Sequence, residues 1–471
     1  MTELGIHEPF ITNDAVIFGL LMAILAFVFF TSGKESGAWA KFYKIIPALL
    51  LCYFIPSLLN SFGIASSEWF YNGINQFLLD KGFTVSSADF SSMSFAQIKE
   101  FLDANNIAKD DYQHLIGHSN LYFVSSRYLL PSSLVLLCLS IDLKGIVKLG
   151  PKAIIMFFAG TLGIILGGPI AILGVSAFAP ELVGGSGPDE VWRGLATVAG
   201  SWIGGGANQT AMKEIYGASD KLFSAMITVD VIVANIWMAF LLIGAGMSEK
   251  LDKRLKANSL AIEEVKKGIE DYTSSVTKVP TLTDIVMICA IGFGGTAIAH
   301  FGADLITPIM QTKKEFLEAY RLTSMASHFF WLVVIATVMG LIFSFTRLKA
   351  YEGVGASKFG SAFLYVLVAT IGLHMDITAI ADTPALFAIG LLWMLVHVII
   401  LLVVAKIIKA PFFFVAVGSQ ANVGGAASAP IVASAFSPAL APVGVLLAVF
   451  GYAVGTFGAI FCAQLMQLVS Q

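Results

Sequence analysis

Charge is scarce in this sequence. Of its 471 residues, 28 are Lys or Arg and 31 are Asp or Glu, 13% in all, where a soluble domain carries about 25%. The charged residues fall between long apolar stretches instead of spreading over a surface, and the mean hydropathy of +0.82 belongs to the whole length. That excludes an ordinary soluble protein: the bilayer is the solvent. A net charge of −3 provides no basic field, which excludes nucleic acid as a partner. Cysteine is equally sparse. Cys52, Cys138, Cys289 and Cys462 all lie inside apolar stretches with no CxxC or Cys/His spacing, so they read as packing residues and imply neither a disulfide nor a metal framework. No HExxH, GxSxG, GxGD or Walker pattern occurs, which argues against an intramembrane enzyme and against ATP-driven transport by this chain, and no cofactor is expected. Absent too is the basic flank of a secretory signal. Residues 1–14 are polar and acidic, and the apolar run that follows reads as a retained first span.

What is present is a series of apolar runs near the roughly 20 residues that a spanning helix needs. They lie at 15–31, 45–63, 121–141, 153–178, 222–246, 284–305, 326–346, 360–376, 385–405 and 440–467. Two further segments, 194–212 and 411–430, are apolar but crowded with Gly and small polar residues. If neither adds a full crossing, 18 of the 28 basic residues fall on one side, including those of the loop 248–282. The excess of Lys and Arg marks that side as cytoplasmic and places both termini outside a plasma (inner) membrane crossed many times. Full crossings by both segments would lose the bias, so re-entrant or broken helices are expected. Residues 65–120 form a polar outer insert with apolar positions at helical spacing (Phe77, Leu78, Phe101, Leu102), which reads as a small helical cap. The loop 248–282 alternates acids and bases (Glu263, Glu264, Lys266, Lys267, Glu270) and reads as a solvated linker.

The chain also repeats itself. Thr197-Val-Ala-Gly-Ser201 followed by Gly205-Gly-Ala207 recurs as Val415-Ala-Val-Gly-Ser419 followed by Gly424-Gly-Ala426, and Leu134 to Asp142 has a weaker echo in Val368 to Asp376. With about five spans and one Gly-rich element per half, the second copy starts on the opposite face. The expected fold is an all-α polytopic membrane protein of two inverted repeats, 1–247 (with the insert) and 283–471, joined by the linker 248–282. Inverted repeats with discontinuous helices characterise alternating-access transporters. Glycine is needed where unwound backbone at membrane depth must adopt dihedrals closed to other residues. A single GG pair more often marks close helix packing; two copies at matching positions, each flanked by Ser, Asn or Gln, favour a binding role.

The strings Ser126 to Ile146 (SRYLLPSSLVLLCLSIDLKGI), Gly200 to Tyr216 (GSWIGGGANQTAMKEIY) and Val417 to Ala433 (VGSQANVGGAASAPIVA) resemble the membrane-protein family of domain of unknown function 819. That family is similar in turn to the cation:proton antiporter and anion transporter superfamily, and the paired glycines resemble those in the pore loops of glutamate and hydroxycarboxylate symporters. The likeness covers nearly the whole chain outside 65–120. It implies a panel domain and a core domain, the core holding crossed broken or hairpin elements, and a homodimer through the panel domains.

Ionisable or amide side chains inside spans are functional candidates because insertion costs them a few kcal/mol. Asp230 stands mid-span with no Lys or Arg nearby in sequence to neutralise it, and suits Na⁺ or a proton; a hydrogen bond to a neighbouring helix terminus, for stability alone, is the competing reading. Asn235 lies about 140° around the helix from it, whereas Thr228 and Asn235 share a face. Asn208, Gln209 and Thr210 follow Gly205 and Gly206, while Gln420, Asn422 and Ser428 surround Gly424 and Gly425. These offer neutral oxygens and amide donors suited to Na⁺ and to a carboxylate at a half-helix N-terminus. A Na⁺ site near Asn208, Thr228, Asp230 and Ser428 is the specific expectation. Ser201 and Ser419 open the two motifs and serve equally as helix caps. Asp142 and Asp376 sit at span ends, where interface anchoring competes with ion binding. His374 and His397 suit proton coupling in principle, although a lone intramembrane histidine is more often a packing residue. Arg127 suits anion attraction and headgroup snorkelling equally. The function expected is a secondary active transporter that moves a small organic anion, amino acid or short peptide, coupled to Na⁺ or H⁺. A passive channel would not need two discontinuous elements.

Overall fold

The computed structural model describes residues 8–470 except 35, 44–45, 47, 72, 84–94, 106, 142–145, 148, 258–278, 320–321, 374–383 and 438–439. Among these, seven helices are long and apolar enough to cross a membrane: Asp14–Ser32, Leu121–Leu139, Pro151–Ser176, Asp220–Gly246, Leu282–Gln311, Ala385–Ile408 and Val443–Val469. An eighth arises if His328–Ser344 and the turn Arg347–Val354, bent by 94° from it, count as one broken span. The runs expected at 45–63 and 360–376 appear as shorter apolar helices. The architecture is that of an all-helical polytopic membrane protein.

The chain divides into two compact units. The first comprises residues 1–127 and 365–378. Its spanning helix α1 (Asp14–Ser32) starts on Asn13, whose side chain accepts from the backbone N–H groups of Ala15 and Val16. The insert has its own core. The short helices α2 (Gly73–Asp80) and α3 (Phe95–Ala104) bury Ile74, Leu78, Ile98 and Leu102 together with Phe70 and Tyr112. The helical spacing of the apolar residues foreshadows this. It does not foreshadow β1 (Glu68–Phe70) and β2 (Ile116–His118), an antiparallel pair that ties the two ends of the insert together. The indole of Trp69 lies over Gly117, where an added Cβ would come within 2.3 Å of it.

The second unit, residues 128–364 and 379–471, carries both Gly-rich segments. Its helix α4 (Leu130–Leu139) is apolar apart from Ser132 and Ser133, and every one of its residues is buried. Two glycine-bearing helices, α8 (Leu282–Gln311) and α9 (His328–Ser344), close on it: a Cβ at Gly295 or Gly340 would collide with Val135, and Ser132 pairs with Thr296 at 2.7 Å. Seven further helices are α5 (Pro151–Ser176), α6 (Val191–Tyr216), α7 (Asp220–Gly246), α10 (Pro384–Ile408), α11 (Phe412–Val423), α12 (Gly425–Phe436) and α13 (Ala441–Val469). They form the body around the two motifs. Along α5, Gly160, Gly163 and Gly167 make room for His397 and Trp393 of α10, and at Gly455 of α13 the backbone touches that of Gly204. Small residues allow this close approach, as membrane helices require. The compact units do not coincide with the two sequence halves. Residues 263–270 of the linker lie outside the described residues; its start is a short helix, Ser248–Leu255.

Candidate functional site

Both Gly-rich segments are broken helices. In α6 the break is Gly205, with φ 75° and ψ −176°, a conformation open to glycine alone. The chain reverses there. A Cβ on Gly200 would sit 2.6 Å from the carbonyl oxygen of Asn208, whereas eight residues of straight helix would separate them by about 12 Å. In the second copy, α11 ends at Gly424 and α12 restarts at Gly425, with φ 56°. Gln420 donates through Nε2 to Ser428 Oγ at 2.7 Å, and this bridge lies where a Cβ of Gly424 would be. The doubled glycines therefore serve a left-handed residue and a crossing side-chain bond.

Asp230, 6% exposed, holds the first hairpin by both arms. Its Oδ1 accepts from Trp202 Nε1 at 2.7 Å, before the break, and its Oδ2 from Gln209 Nε2 at 3.0 Å, after it. Ser201 also bonds to it. A buried carboxylate needs such donors because desolvation is otherwise prohibitive. The carboxylate on α7 is thus part of the hairpin it faces.

Asn208 and Asn422 are fully buried and saturated in the same way. Asn208 Nδ2 donates to the carbonyls of Gly204 and Tyr452, and its Oδ1 accepts from Thr456 at 2.6 Å. Asn422 Nδ2 donates to Gly418 and Phe157, and its Oδ1 accepts from Thr161 at 2.8 Å. In each case the carbonyl and the threonine lie four residues apart on a neighbouring helix, α13 for the first hairpin and α5 for the second. Each asparagine buckles its hairpin to that helix. Thr337 of α9 extends the first network, 3.1 Å from Thr456.

The other nominated residues separate. Thr228 and Asn235 turn back on α7, donating to the carbonyls of Ser224 and Val231, and Thr210 bonds to Gly206 within its own helix. Of the four residues nominated for Na⁺, then, Asn208 and Asp230 already have N–H or O–H donors on their oxygens, Thr228 bonds within α7, and Ser428 belongs to the other hairpin. Gln420 differs: it is 1% exposed, and its Oε1 has no hydrogen-bond partner among the described residues. It lies beside the start of α12, a twelve-residue helix whose first N–H groups have no side-chain cap. That corner offers a free buried acceptor next to the positive end of a helix dipole. Asp142, His374 and Asp376 lie outside the described residues, and Arg127 occupies the π-helical turn Ser125–Leu129 ahead of α4.

Sequence reasoning missed the residues that hold the candidates: Trp202, Trp237, Thr161 and Thr456. One signal for the tryptophans was available, since an indole N–H carried into a membrane interior must find an acceptor. His397, fully buried on α10, places Nδ1 3.0 Å from the carbonyl of Gly160 and Nε2 2.8 Å from Ser419 Oγ, which also accepts from Trp237 Nε1. On the side of the linker, Asp252 accepts from the backbone N–H of Phe412, the first residue of α11, at 2.7 Å. Burial pushes its carboxyl above the usual aspartate range, and this hydrogen bond opposes the shift.

Comparison with known proteins agrees on class. The chain is similar to an uncharacterized membrane protein, YjcL, of Bacillus subtilis (strain 168), at 22% identity over 348 residues that cover 72% of this chain and 82% of the relative. The family model described as "Protein of unknown function (DUF819)" matches residues 114–469, and the chain belongs to that family.

Proposed function

We propose that this DUF819 member is a secondary active transporter that moves a small organic solute (an organic anion, amino acid or short peptide) by alternating access, driven by a Na⁺ or H⁺ gradient. One observation carries the reading: a buried carboxylate, Asp230, closes on both arms of a glycine-broken hairpin. An ion that neutralises Asp230 changes what holds the hairpin together, which is the differential interaction that coupling requires. The second hairpin supplies the cargo site. The uncapped start of α12 suits a carboxylate, and Gln420 Oε1 awaits a donor such as an ammonium or hydroxyl group. The motif repeat supports two inverted halves; the resemblance to the cation:proton antiporter and anion transporter superfamily supports a panel-and-core arrangement, with the core carrying both hairpins, and a homodimer in the plasma membrane.

A thermal-shift screen of the purified protein against carboxylates, amino acids and dipeptides, with and without Na⁺, identifies the cargo class. Uptake of the strongest stabiliser into proteoliposomes then depends on an imposed Na⁺ or pH gradient. Uptake that equilibrates at the same rate without any gradient contradicts the proposal and favours a passive facilitator.

A further inference from the structure

The two repeat-related serines each meet an ionisable side chain. Ser201 bonds to Asp230 at the first hairpin, and Ser419 bonds to His397 at the second. The second contact has a direction that can be worked out atom by atom. The carbonyl of Gly160 only accepts, so His397 Nδ1 carries a hydrogen. Trp237 Nε1 only donates, so it points its hydrogen at Ser419 Oγ. In the neutral ring, Nε2 therefore holds a lone pair, and it is the Ser419 hydroxyl that donates to it. The chain of donors runs Trp237 to Ser419 to His397 to Gly160 and joins four helices: α7, α11, α10 and α5.

We propose that His397 is the proton-carrying residue of the second hairpin, taking up H⁺ at Nε2 and passing the event to α11 through the hydroxyl of Ser419. The inference rests on the transporter reading and names H⁺ as an ion the site uses. The proton comes from a hydronium ion: its O–H bond breaks as the N–H bond at Nε2 forms, water is left behind, and the hydrogen bond that Nε2 accepted from Ser419 is lost. The new N–H points at Ser419 Oγ, so the hydroxyl can no longer donate to the ring. It must turn to another acceptor, and the hairpin arm that bears it loses one arrangement and gains a second. An all-carbon packing residue would have no such alternative.

Among the described residues, no charged side chain is in contact with His397. The groups that face His397 are Gly160 and Gly163 of α5 and Ser419 of α11, with Trp237 of α7 beyond the serine, and none of them titrates in the working range. Along the same helices the nearest charged residues are Lys152 on α5, Asp230 on α7 and Lys406 on α10, while α11, α12 and α13 carry none.

Magic-angle-spinning NMR of ¹⁵N-labelled protein in liposomes, with no cargo present, tests this. The His397 signals are those lost in both His397→Gln and His397→Asn, so a folding defect in one variant does not remove the assignment. They are expected to show protonated Nδ1 and bare Nε2 at about pH 8, and protonation of both nitrogens as the pH is lowered stepwise into the acid range. The Trp237 indole N–H signal is expected to follow the same titration in the wild type and to stop following it in Ser419→Ala. A His397 ring that stays singly protonated throughout, or a Trp237 signal that tracks pH equally well without Ser419, overturns the proposal. A flat His397 titration beside gradient-driven uptake removes this inference and leaves transport standing. A titrating His397 and a responsive Trp237 in a protein that moves no screened solute do the reverse.

Discussion

Replacing Gly200 with alanine separates a hairpin from a straight helix by the sign of the effect. In the interior of an uninterrupted helix, Gly→Ala stabilises by about 1 kcal/mol, because alanine loses less backbone entropy and exposes less backbone. Here the new methyl would stand 2.6 Å from the carbonyl oxygen of Asn208 and 2.9 Å from the backbone nitrogen of Gln209. Both contacts are with backbone, which cannot rotate away as a side-chain tip can, so the arms must separate. Overpacking of that kind costs about 1–3 kcal/mol, and it outweighs the propensity gain. Two neighbours calibrate the result. Gly206 has no atom closer than Leu364 Cδ2 at 3.8 Å, and it has room for the methyl. Gly205 also has room, with Tyr452 at 3.5 Å, but at φ 75° and ψ −176° any residue with a Cβ is strained by about 1–3 kcal/mol. Thermal unfolding of the three variants in detergent, followed by size-exclusion chromatography, should rank Gly206→Ala at or above the wild type and both Gly200→Ala and Gly205→Ala below it. Gly200→Ala melting above the wild type would refute the fold-back of α6.

Thr161→Val and Thr456→Val each leave a buried asparagine oxygen without its donor, and each should lower stability by about 1–3 kcal/mol in the same melt. Asp252→Ala should cost about 1 kcal/mol by removing the acceptor for the first N–H of α11, and Asp252→Asn, which keeps an acceptor, should cost less. The raised carboxyl of Asp252 also sets a sign. The folded state holds that proton more tightly than the unfolded chain, so stability falls as pH rises from the ordinary aspartate range through the raised value. A pH series of melts should show that decline in the wild type and lose it in Asp252→Asn. Single cysteines at Lys253 and Lys109 should react with impermeant reagents on opposite sides of the membrane, as the inverted repeat demands.

The membrane class, most of the spans and the position of both breaks were legible in the sequence because each depends on local composition. Twenty apolar residues need a bilayer whatever surrounds them, and a doubled glycine beside polar residues predicts a break wherever it occurs. The helical spacing of Leu78 and Leu102 was enough to anticipate the core of the insert. What could not be read was pairing across helices. Thr161 and Thr456 are unremarkable residues within apolar runs, and only the fold brings them to Asn422 and Asn208. Thr228, placed near Asp230 for Na⁺, and Asn235, about 140° around the helix from Asp230, both bond to intrahelical carbonyls, which lie nearer to them than any partner across helices. His397 was visible as an intramembrane histidine, but nothing in its neighbourhood along the chain indicates Ser419, 22 residues on.

In the proposed mechanism ion binding at Asp230 drives transport, and the substitution Asp230→Asn separates that role from a structural one. Asparagine keeps the size of the side chain and one oxygen for Trp202 or Gln209, but it can neither release a proton nor neutralise a cation. In proteoliposomes loaded with the cargo found by thermal shift, the variant should bind that cargo and exchange it across the membrane while losing accumulation against a gradient. Accumulation that remains as strong, and as dependent on Na⁺ or pH, as in the wild type would remove Asp230 from coupling and contradict the account.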